Sequence, residues 1–182
     1  SKLCDFGNPD TEHAAINTQT VLSSLMHNSI IEVRGEDAQS FLHGQFSNSL
    51  NDINENKSQL SSYSSAKGRL YAIFRLYKHE QSYYLILPKA LSASLLKRLT
   101  MFKLRAKVQL TDVSEQLSMI GIAGPQASEI LAKHFNKTPK TVDEVTNSNS
   151  STLLQTPGLT PRFEIVAKTE ILQTLWNQLK TE

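Results

Sequence analysis

Residues 63–78, YSSAKGRLYAIFRLYK, constrain the fold of this 182-residue chain more than any other stretch. From Leu70 to Tyr77, small or apolar side chains alternate with larger ones that include two tyrosines and an arginine. This period of two predicts a strand with one apolar face and one amphipathic face. The preceding Lys67-Gly68-Arg69 predicts a tight turn, because glycine readily adopts positive φ. The polar residues 58–65 predict a partner strand, so the window predicts a hairpin.

Beyond this hairpin, strands and helices continue to alternate along the chain. Residues 83–87 predict a returning strand. After Pro88, leucines recur at helical spacing and predict a helix with one apolar stripe. Residues 106–112 predict a further strand, so residues 70–112 have the order strand, strand, helix, strand.

A similar order follows in the last part of the chain. We predict strands at 117–123, 152–155 and 162–167, a helix opened by Gly124-Pro125 with proline at its first position, and a final helix capped by Thr169. The polar residues 136–151 predict an exposed connection. Two such units indicate an α+β fold with two ferredoxin-like layers, in which helices pack on antiparallel sheets.

The N-terminal part is more polar. Residues 1–19 have no apolar period and predict a flexible leader. A strand at 29–34 is followed by a helix that we expect to end at Gly44. We expect a first domain at 20–112 and a second α+β domain at 113–182, with elements that can intertwine with the first.

Composition excludes some classes of protein. The chain is 39% hydrophobic and 20% charged, and its apolar runs are too short to cross a bilayer. A single cysteine, Cys4, rules out an intrachain disulfide. Together with the absence of a signal-peptide pattern, this predicts a cytoplasmic protein with no membrane association.

Charge is unevenly distributed along the chain. Residues 61–110 carry 10 basic residues and 1 acidic residue, whereas the segments on both sides carry a net negative charge. Such a basic segment attracts anions, and RNA binding is one interpretation. A solvated helix face beside ordinary strands is the other interpretation.

Motifs for catalysis and metal binding are missing. The histidines have no cysteine or carboxylate at ligand spacing, and the chain contains no phosphate-binding glycine loop or nucleophile elbow. No paired carboxylates flank a likely pocket. We therefore assign no catalytic or metal-binding residue. Lys67, Arg69 and Arg75 can pair with carboxylates, and Tyr71 and Tyr77 offer flat faces. This mixture suits an aromatic, doubly anionic ligand; a plain hairpin with solvated bases is the alternative.

Three segments resemble one protein family. FLHGQFSNSL at 41–50 resembles the "FLQGQLTNDV" segment of YgfZ-type folate-binding proteins. AKGR at 66–69 followed by FRL at 74–76 resembles their "DAKGKMxxxxRLF" segment, and MIGIAGPQA at 119–127 is similar to their "LLGVAGPQA" junction. The matches occur in the family's order and at sensible intervals.

The resemblance implies the fold of the aminomethyltransferase-like superfamily, shared with the glycine cleavage T-protein and the N-terminal domain of the tRNA-modifying GTPase TrmE. It implies tetrahydrofolate, or a one-carbon derivative, as ligand. It also implies partners among iron–sulfur enzymes and tRNA-modification proteins. By the same resemblance, the ligand-binding residues are Gln45, Ser47, Asn48, Lys67, Gly68, Arg69, Tyr71 and Arg75.

Two departures from the family pattern bear on activity. Aminomethyltransferases carry an acidic pair on the strand after the glycine turn, where this chain has Tyr71-Ala72. The family's "KGCYxGQE" signature does not occur within these 182 residues, and they predict no C-terminal β-barrel of the kind that follows it in the family. We therefore expect a folate-binding accessory protein without catalysis. A one-carbon transferase, or a non-catalytic subunit like the gamma subunit of sarcosine oxidase, remains an alternative, and the oligomeric state stays open.

Overall fold

The computed structural model describes residues 7–148 and 150–181, except for the side chains of residues 13, 16 and 17. Within these ranges the chain forms five α-helices and ten β-strands. In chain order they are α1 (Pro9–Thr18), β1 (Val21–Ser24), β2 (Asn28–Arg34), α2 (Ala38–Gln45), β3 (Gln59–Ser64), β4 (Leu70–His79), β5 (Ser82–Pro88), α3 (Lys89–Phe102), β6 (Gln109–Asp112), β7 (Leu117–Ala123), α4 (Ala127–His134), β8 (Val145–Asn147), β9 (Ser151–Thr156), β10 (Arg162–Lys168) and α5 (Thr169–Leu179).

The strands form two five-stranded antiparallel sheets. The first sheet has the order β3-β4-β5-β2-β6, and the second has the order β1-β7-β10-β9-β8. The predicted hairpin of 58–65 and 70–77 is confirmed as β3 and β4. Strand β1 precedes the whole first sheet in the chain but belongs to the second, where Val21 pairs with Ala123.

The two sheets face each other and are covered by helices on their outer sides. Strand β2 illustrates this: Ile31 packs with the core beneath α2 and α3, whereas Ile30 packs with Met119 and Leu154 of the second sheet. Helices α4 and α5 cover the outer face of the second sheet with Leu131 and related side chains. The predicted α+β fold with two antiparallel sheets is thus confirmed, as four layers in the order helix, sheet, sheet, helix.

Structure at the N-terminus differs from the prediction. Residues 9–18 form helix α1 instead of irregular chain. The Asn8 side chain accepts a hydrogen bond from the Thr11 amide, proline occupies the first turn, and Asp10 and Glu12 favour the positive end of the helix dipole. Capping therefore outweighs the missing apolar stripe. Cys4 lies outside the described residues.

The segment 136–151 was predicted as an exposed connection, which is confirmed for most of 136–142 but is wrong for the residues around 143–147. It contains β8, which pairs with β9 and buries Val145 between the sheets. Asp143, just before β8, accepts a hydrogen bond from Arg75 of the first sheet. This polar segment packs against the sheets because the buried Arg75 needs an anionic partner and the edge of β9 needs a strand to pair with.

Several predicted element ends move by a few residues. Helix α2 continues through Gly44 to Gln45, and α4 starts after Pro125 with Gln126 in the capping position. Thr169 is the first residue of α5 rather than its cap. Strand β1 was not predicted at all. The division into domains at 112 stays a prediction.

Gly124 makes the bend between β7 and α4. Its φ is +138°, and a Cβ there would lie 2.4 Å from the carbonyl oxygen of Gln19. Both the backbone angle and the space therefore require glycine. Gly44 in α2 is a useful contrast, because a Cβ at that position meets nothing within 4 Å.

We predict that Gly124→Ala lowers the free energy of unfolding by about 2–3 kcal/mol, from backbone strain and steric overlap. Gly44→Ala should leave stability unchanged or raise it by about 0.5–1 kcal/mol, because alanine favours helix. Urea unfolding followed by circular dichroism measures both. Equal midpoints for the two variants would contradict this account of the bend.

Candidate ligand-binding clefts around strand β4

A β-bulge in strand β4 separates the predicted ligand-binding residues. Tyr63 pairs with Ala72 but Ser64 pairs with Leu70, so Tyr71 has no paired residue on β3. Strict alternation would place Tyr71 on the inner face with Arg75, whereas Tyr71 packs against the core beneath the helices. Bulges commonly redirect a side chain in this way. The predicted residues therefore lie on both faces of the first sheet.

The outer cleft lies between β3, the start of β4 and the ends of α2 and α3. Its volume is about 390 Å³. Its lining residues are Gly44, Gln45, Tyr63, Ser64, Ser65, Ala66, Tyr71, Arg98 and Phe102. It contains Gln45 and Tyr71 of the predicted set, and none of the described residues that line it is a carboxylate.

Cations and aromatic rings lie close together in the outer cleft. The Arg98 guanidinium lies 3.8 Å from the centroid of the Tyr71 ring, and that of Arg69 lies 5.9 Å from it. The Tyr63 ring is 5.8 Å from the Tyr71 ring. Burial raises the pKa of Tyr63, although Arg98 opposes the rise. The Tyr63 phenol therefore stays neutral, and the rings of Tyr63 and Tyr71 offer surfaces for stacking.

The predicted turn forms the rim of this cleft. Gly68 has φ +78°, and its amide donates to the Ser65 carbonyl over 2.9 Å. The Arg69 amide donates to the Ser65 hydroxyl over 3.0 Å. Lys67 and Arg69 are exposed. The turn thus has a hydrogen-bonded backbone and two exposed cationic side chains.

Ser47 and Asn48 hold the loop after α2 against β3. The Asn48 side-chain amide donates to the Leu60 carbonyl over 2.8 Å. The Ser47 hydroxyl accepts from the Ser62 amide over 3.1 Å. These contacts position the wall of the outer cleft, and neither residue lines either cleft.

The inner cleft lies between the facing sheets, on the other side of β4. Its volume is about 340 Å³. Its lining residues are Asn28, Leu60, Ile73, Phe74, Arg75, Ile86, Leu87, Pro88, Thr156, Pro157, Arg162 and Glu164. Leu60 and Ile73 each expose about half of their surface, 51% and 53%, and form an apolar wall.

Arg75 is the predicted residue that reaches the inner cleft. It is buried, donates to Ser58 over 3.0 Å and forms an ion pair with Asp143. Arg75 is buried whereas Asp143 is partly exposed, so loss of Asp143 would leave an uncompensated charge on the buried partner. Arg75 therefore links the first sheet to the segment before β8 and keeps a positive charge between the sheets.

Glu164 is the unusual group of the inner cleft. Burial raises its pKa above the ordinary value of 4.5, while Arg75, Arg162 and His27 lower it less strongly. Among the described residues, no hydrogen bond or ion pair within contact distance satisfies its carboxylate. A partly desolvated carboxylate without such a partner is costly, and it is free to accept donors from a ligand.

Several lining residues were missed from the sequence. Arg98, Tyr63 and Phe102 belong to the outer cleft, and Arg162 and Glu164 belong to the inner one. The sequence held no signal for Glu164, because an acid that alternates with the apolar Phe163 and Ile165 is also the ordinary pattern of a strand with one solvated face.

The prediction that Tyr77 offers a flat face to a ligand is wrong. Tyr77 is 1% exposed, and its ring stacks on the Tyr84 ring at a centroid distance of 5.1 Å.

Across the described ranges, no three histidine, cysteine or acidic side chains are grouped so as to hold a metal ion. No helix in the part of the chain that the structure describes has the length and apolar character to span a bilayer.

Comparison with known proteins places the chain in a family. The model of the "GCVT N-terminal domain" matches residues 6–182. The chain belongs to the GCVT N-terminal domain family. The tRNA-modifying protein YgfZ of Colwellia psychrerythraea is 30% identical over 89% of this chain. An aminomethyltransferase of Caldanaerobacter subterraneus is 28% identical over 93% of it.

Solved structures show the same fold. The glycine cleavage aminomethyltransferase T of Bartonella henselae superposes on 93% of the chain with a TM-score of 0.82 and 16% identity. Heterotetrameric sarcosine oxidase of Corynebacterium sp. U-96 superposes on 88% with a TM-score of 0.65 and 13% identity. The predicted aminomethyltransferase-like fold is confirmed.

The GCVT-domain chain covers only part of these proteins. It spans 54% of the Colwellia protein, 48% of the Caldanaerobacter protein and 47% of the Bartonella chain. The sequence resemblance to YgfZ-type proteins is confirmed by these matches.

We predict that Glu164→Gln stabilises the protein at neutral pH. Because the folded-state pKa of Glu164 is raised, the native state is penalised once the carboxylate ionises, so this group's contribution to stability is lost as pH rises above 4.5 through the folded-state pKa. The difference between Glu164→Gln and wild type should be largest at pH 7–8 and shrink toward pH 4. Urea unfolding across this range measures it. A constant difference at all pH values would sink the prediction.

Proposed function

We propose that this protein binds a reduced folate, tetrahydrofolate or a one-carbon derivative, in the inner cleft. The observation that carries the proposal is the Glu164 carboxylate, which faces this cleft without a hydrogen-bonding partner among the described residues. A pterin ring presents a ring N–H beside an exocyclic amino group. These two donors match the two oxygens of a carboxylate in a bidentate arrangement.

The rest of the cleft suits the other parts of a folate. Leu60 and Ile73 offer an apolar wall against which a flat ring can lie. Arg162 is exposed at the edge, where it can pair with the glutamyl carboxylates. At about 340 Å³ the cleft is large enough for the ring system, and the tail would extend toward solvent.

The eight residues expected from the resemblance take different parts in this proposal. Arg75 contributes positive charge beside Glu164 and so favours the ionised carboxylate that accepts two hydrogen bonds. Gln45, Tyr71 and the turn at 67–69 lie at the outer cleft, separated from this ligand by the first sheet. Ser47 and Asn48 support that wall.

We also propose that binding occurs without one-carbon transfer. Ala72 is buried beneath the helices and Tyr71 points to the outer cleft, so the two residues at the places of the acidic pair do not reach the inner cleft. As the wider role we propose a cytoplasmic accessory function in tRNA modification and iron–sulfur enzyme maintenance. The similarity to proteins named tRNA-modifying protein YgfZ supports it.

The proposal predicts that 5-formyltetrahydrofolate binds in calorimetric titration and that Glu164→Gln weakens binding about 10- to 100-fold. That is the range for loss of hydrogen bonds to a charged group. Glu129→Gln is the matched control, because it removes the same charge from an exposed position on α4. Absence of heat with the wild-type protein at millimolar ligand, or equal loss in both variants, would reject the inner cleft as the folate site.

Transfer is tested separately. Wild-type protein incubated with an aminomethyl donor and tetrahydrofolate should form no methylene-tetrahydrofolate above the uncatalysed rate. A recognised aminomethyltransferase serves as the positive control. Turnover that Glu164→Gln abolishes would instead assign a catalytic role to this carboxylate.

A further inference from the structure

The outer cleft is left unused by folate binding in the inner cleft. It combines the Arg98 guanidinium stacked on Tyr71, the half-exposed Phe102 ring and the Gln45 amide. No carboxylate lies among its lining residues, and among the described residues Arg98 forms no ion pair. This is a cationic and aromatic site in which no carboxylate of the described residues pairs with Arg98.

The stacking geometry leaves Arg98 available for an anion. A guanidinium lying over a tyrosine ring uses its flat face, so its N–H groups still point outward in the plane. Such N–H groups form paired hydrogen bonds with phosphate oxygens. The exposed Lys67 and Arg69 at the rim add two further cations that can reach the same anion.

Positive charge also continues beyond the cleft. Lys97 and Arg105 are exposed along and after α3, and the segment 61–110 as a whole holds 10 basic residues against 1 acidic residue. A mononucleotide would occupy the cleft alone and leave these side chains unused. A strand with successive phosphates would contact both the cleft and the cations around it.

We propose that the outer cleft binds single-stranded RNA. A phosphate contacts Arg98 and the Lys67-Gly68-Arg69 turn, and a base stacks on the exposed face of Phe102. Gln45 offers both a donor and an acceptor to the edge of that base. The proposal does not depend on folate binding, because the first sheet lies between the two clefts.

The experiment uses a fluorescein-labelled 12-nucleotide oligouridylate and fluorescence anisotropy at several salt concentrations. Arg98→Gln should weaken binding at least five-fold and make the slope of log K against log salt shallower by about 0.7, the value for one lost phosphate contact. Phe102→Ala should weaken binding with little change in that slope, because it removes stacking and no charge. Lys180→Gln, an exposed cation beyond α5, is the control and should change affinity less than two-fold.

Two further variants separate the RNA site from folding and from folate. Tyr71→Phe keeps the ring beneath Arg98 and should retain RNA binding, so a loss there would contradict the stacking model. Glu164→Gln should bind the oligonucleotide as the wild type does, while its affinity for 5-formyltetrahydrofolate falls about 10- to 100-fold. Arg98→Gln should bind the oligonucleotide more weakly and 5-formyltetrahydrofolate as the wild type does. Circular dichroism checks that each variant is folded.

Four outcomes would overturn the proposal. They are no anisotropy change at 50 mM salt, equal losses for Arg98→Gln and Lys180→Gln, loss of 5-formyltetrahydrofolate binding in Arg98→Gln, and uridine monophosphate binding as tightly as the oligonucleotide. The third would make the outer cleft the folate site, and the fourth would make it a mononucleotide site.

Discussion

An apolar layer between the two sheets is the contact on which the rest of the structure depends. Ile30 and Ile86 of the first sheet meet Met119 and Val166 of the second, and burial of such side chains is the main favourable term in folding. Both faces of each sheet are therefore covered, which is why the helices lie outside. The inner cleft lies where Leu60 and Ile73 continue the apolar face but remain half exposed.

Two charged groups in and beside this layer, Arg75 and Glu164, differ in how their burial is compensated. Arg75 pairs with Asp143, so the cost of burying its charge is compensated. The same pair connects the first sheet to the segment before β8. Glu164 has no comparable partner among the described residues, and its raised pKa records the cost. A carboxylate that destabilises the folded state is more readily understood as a group retained for a ligand.

The sequence predicted the elements whose period is strong and local. Strand β4 and helix α3 carry long, regular apolar patterns and were found with nearly correct ends. Strands β1 and β8 are short, and they become strands because β7 and β9 offer them edges, which no local pattern reports. The site was harder still. A one-residue bulge moves Tyr71 to the opposite face, and the isolation of Glu164 depends on residues distant in the chain.

Strand β1 gives the chain a particular folding problem. Val21 pairs with Ala123, so β1 can join the second sheet only after β7, about one hundred residues later in the chain, has been made. Closing so long a loop is entropically costly, and topologies rich in distant contacts fold slowly. During synthesis the first sheet can therefore assemble while β1 still lacks its neighbour, with an exposed strand edge that other chains can pair with. We therefore expect completion of the second sheet to be late in folding and to depend on both parts of the chain.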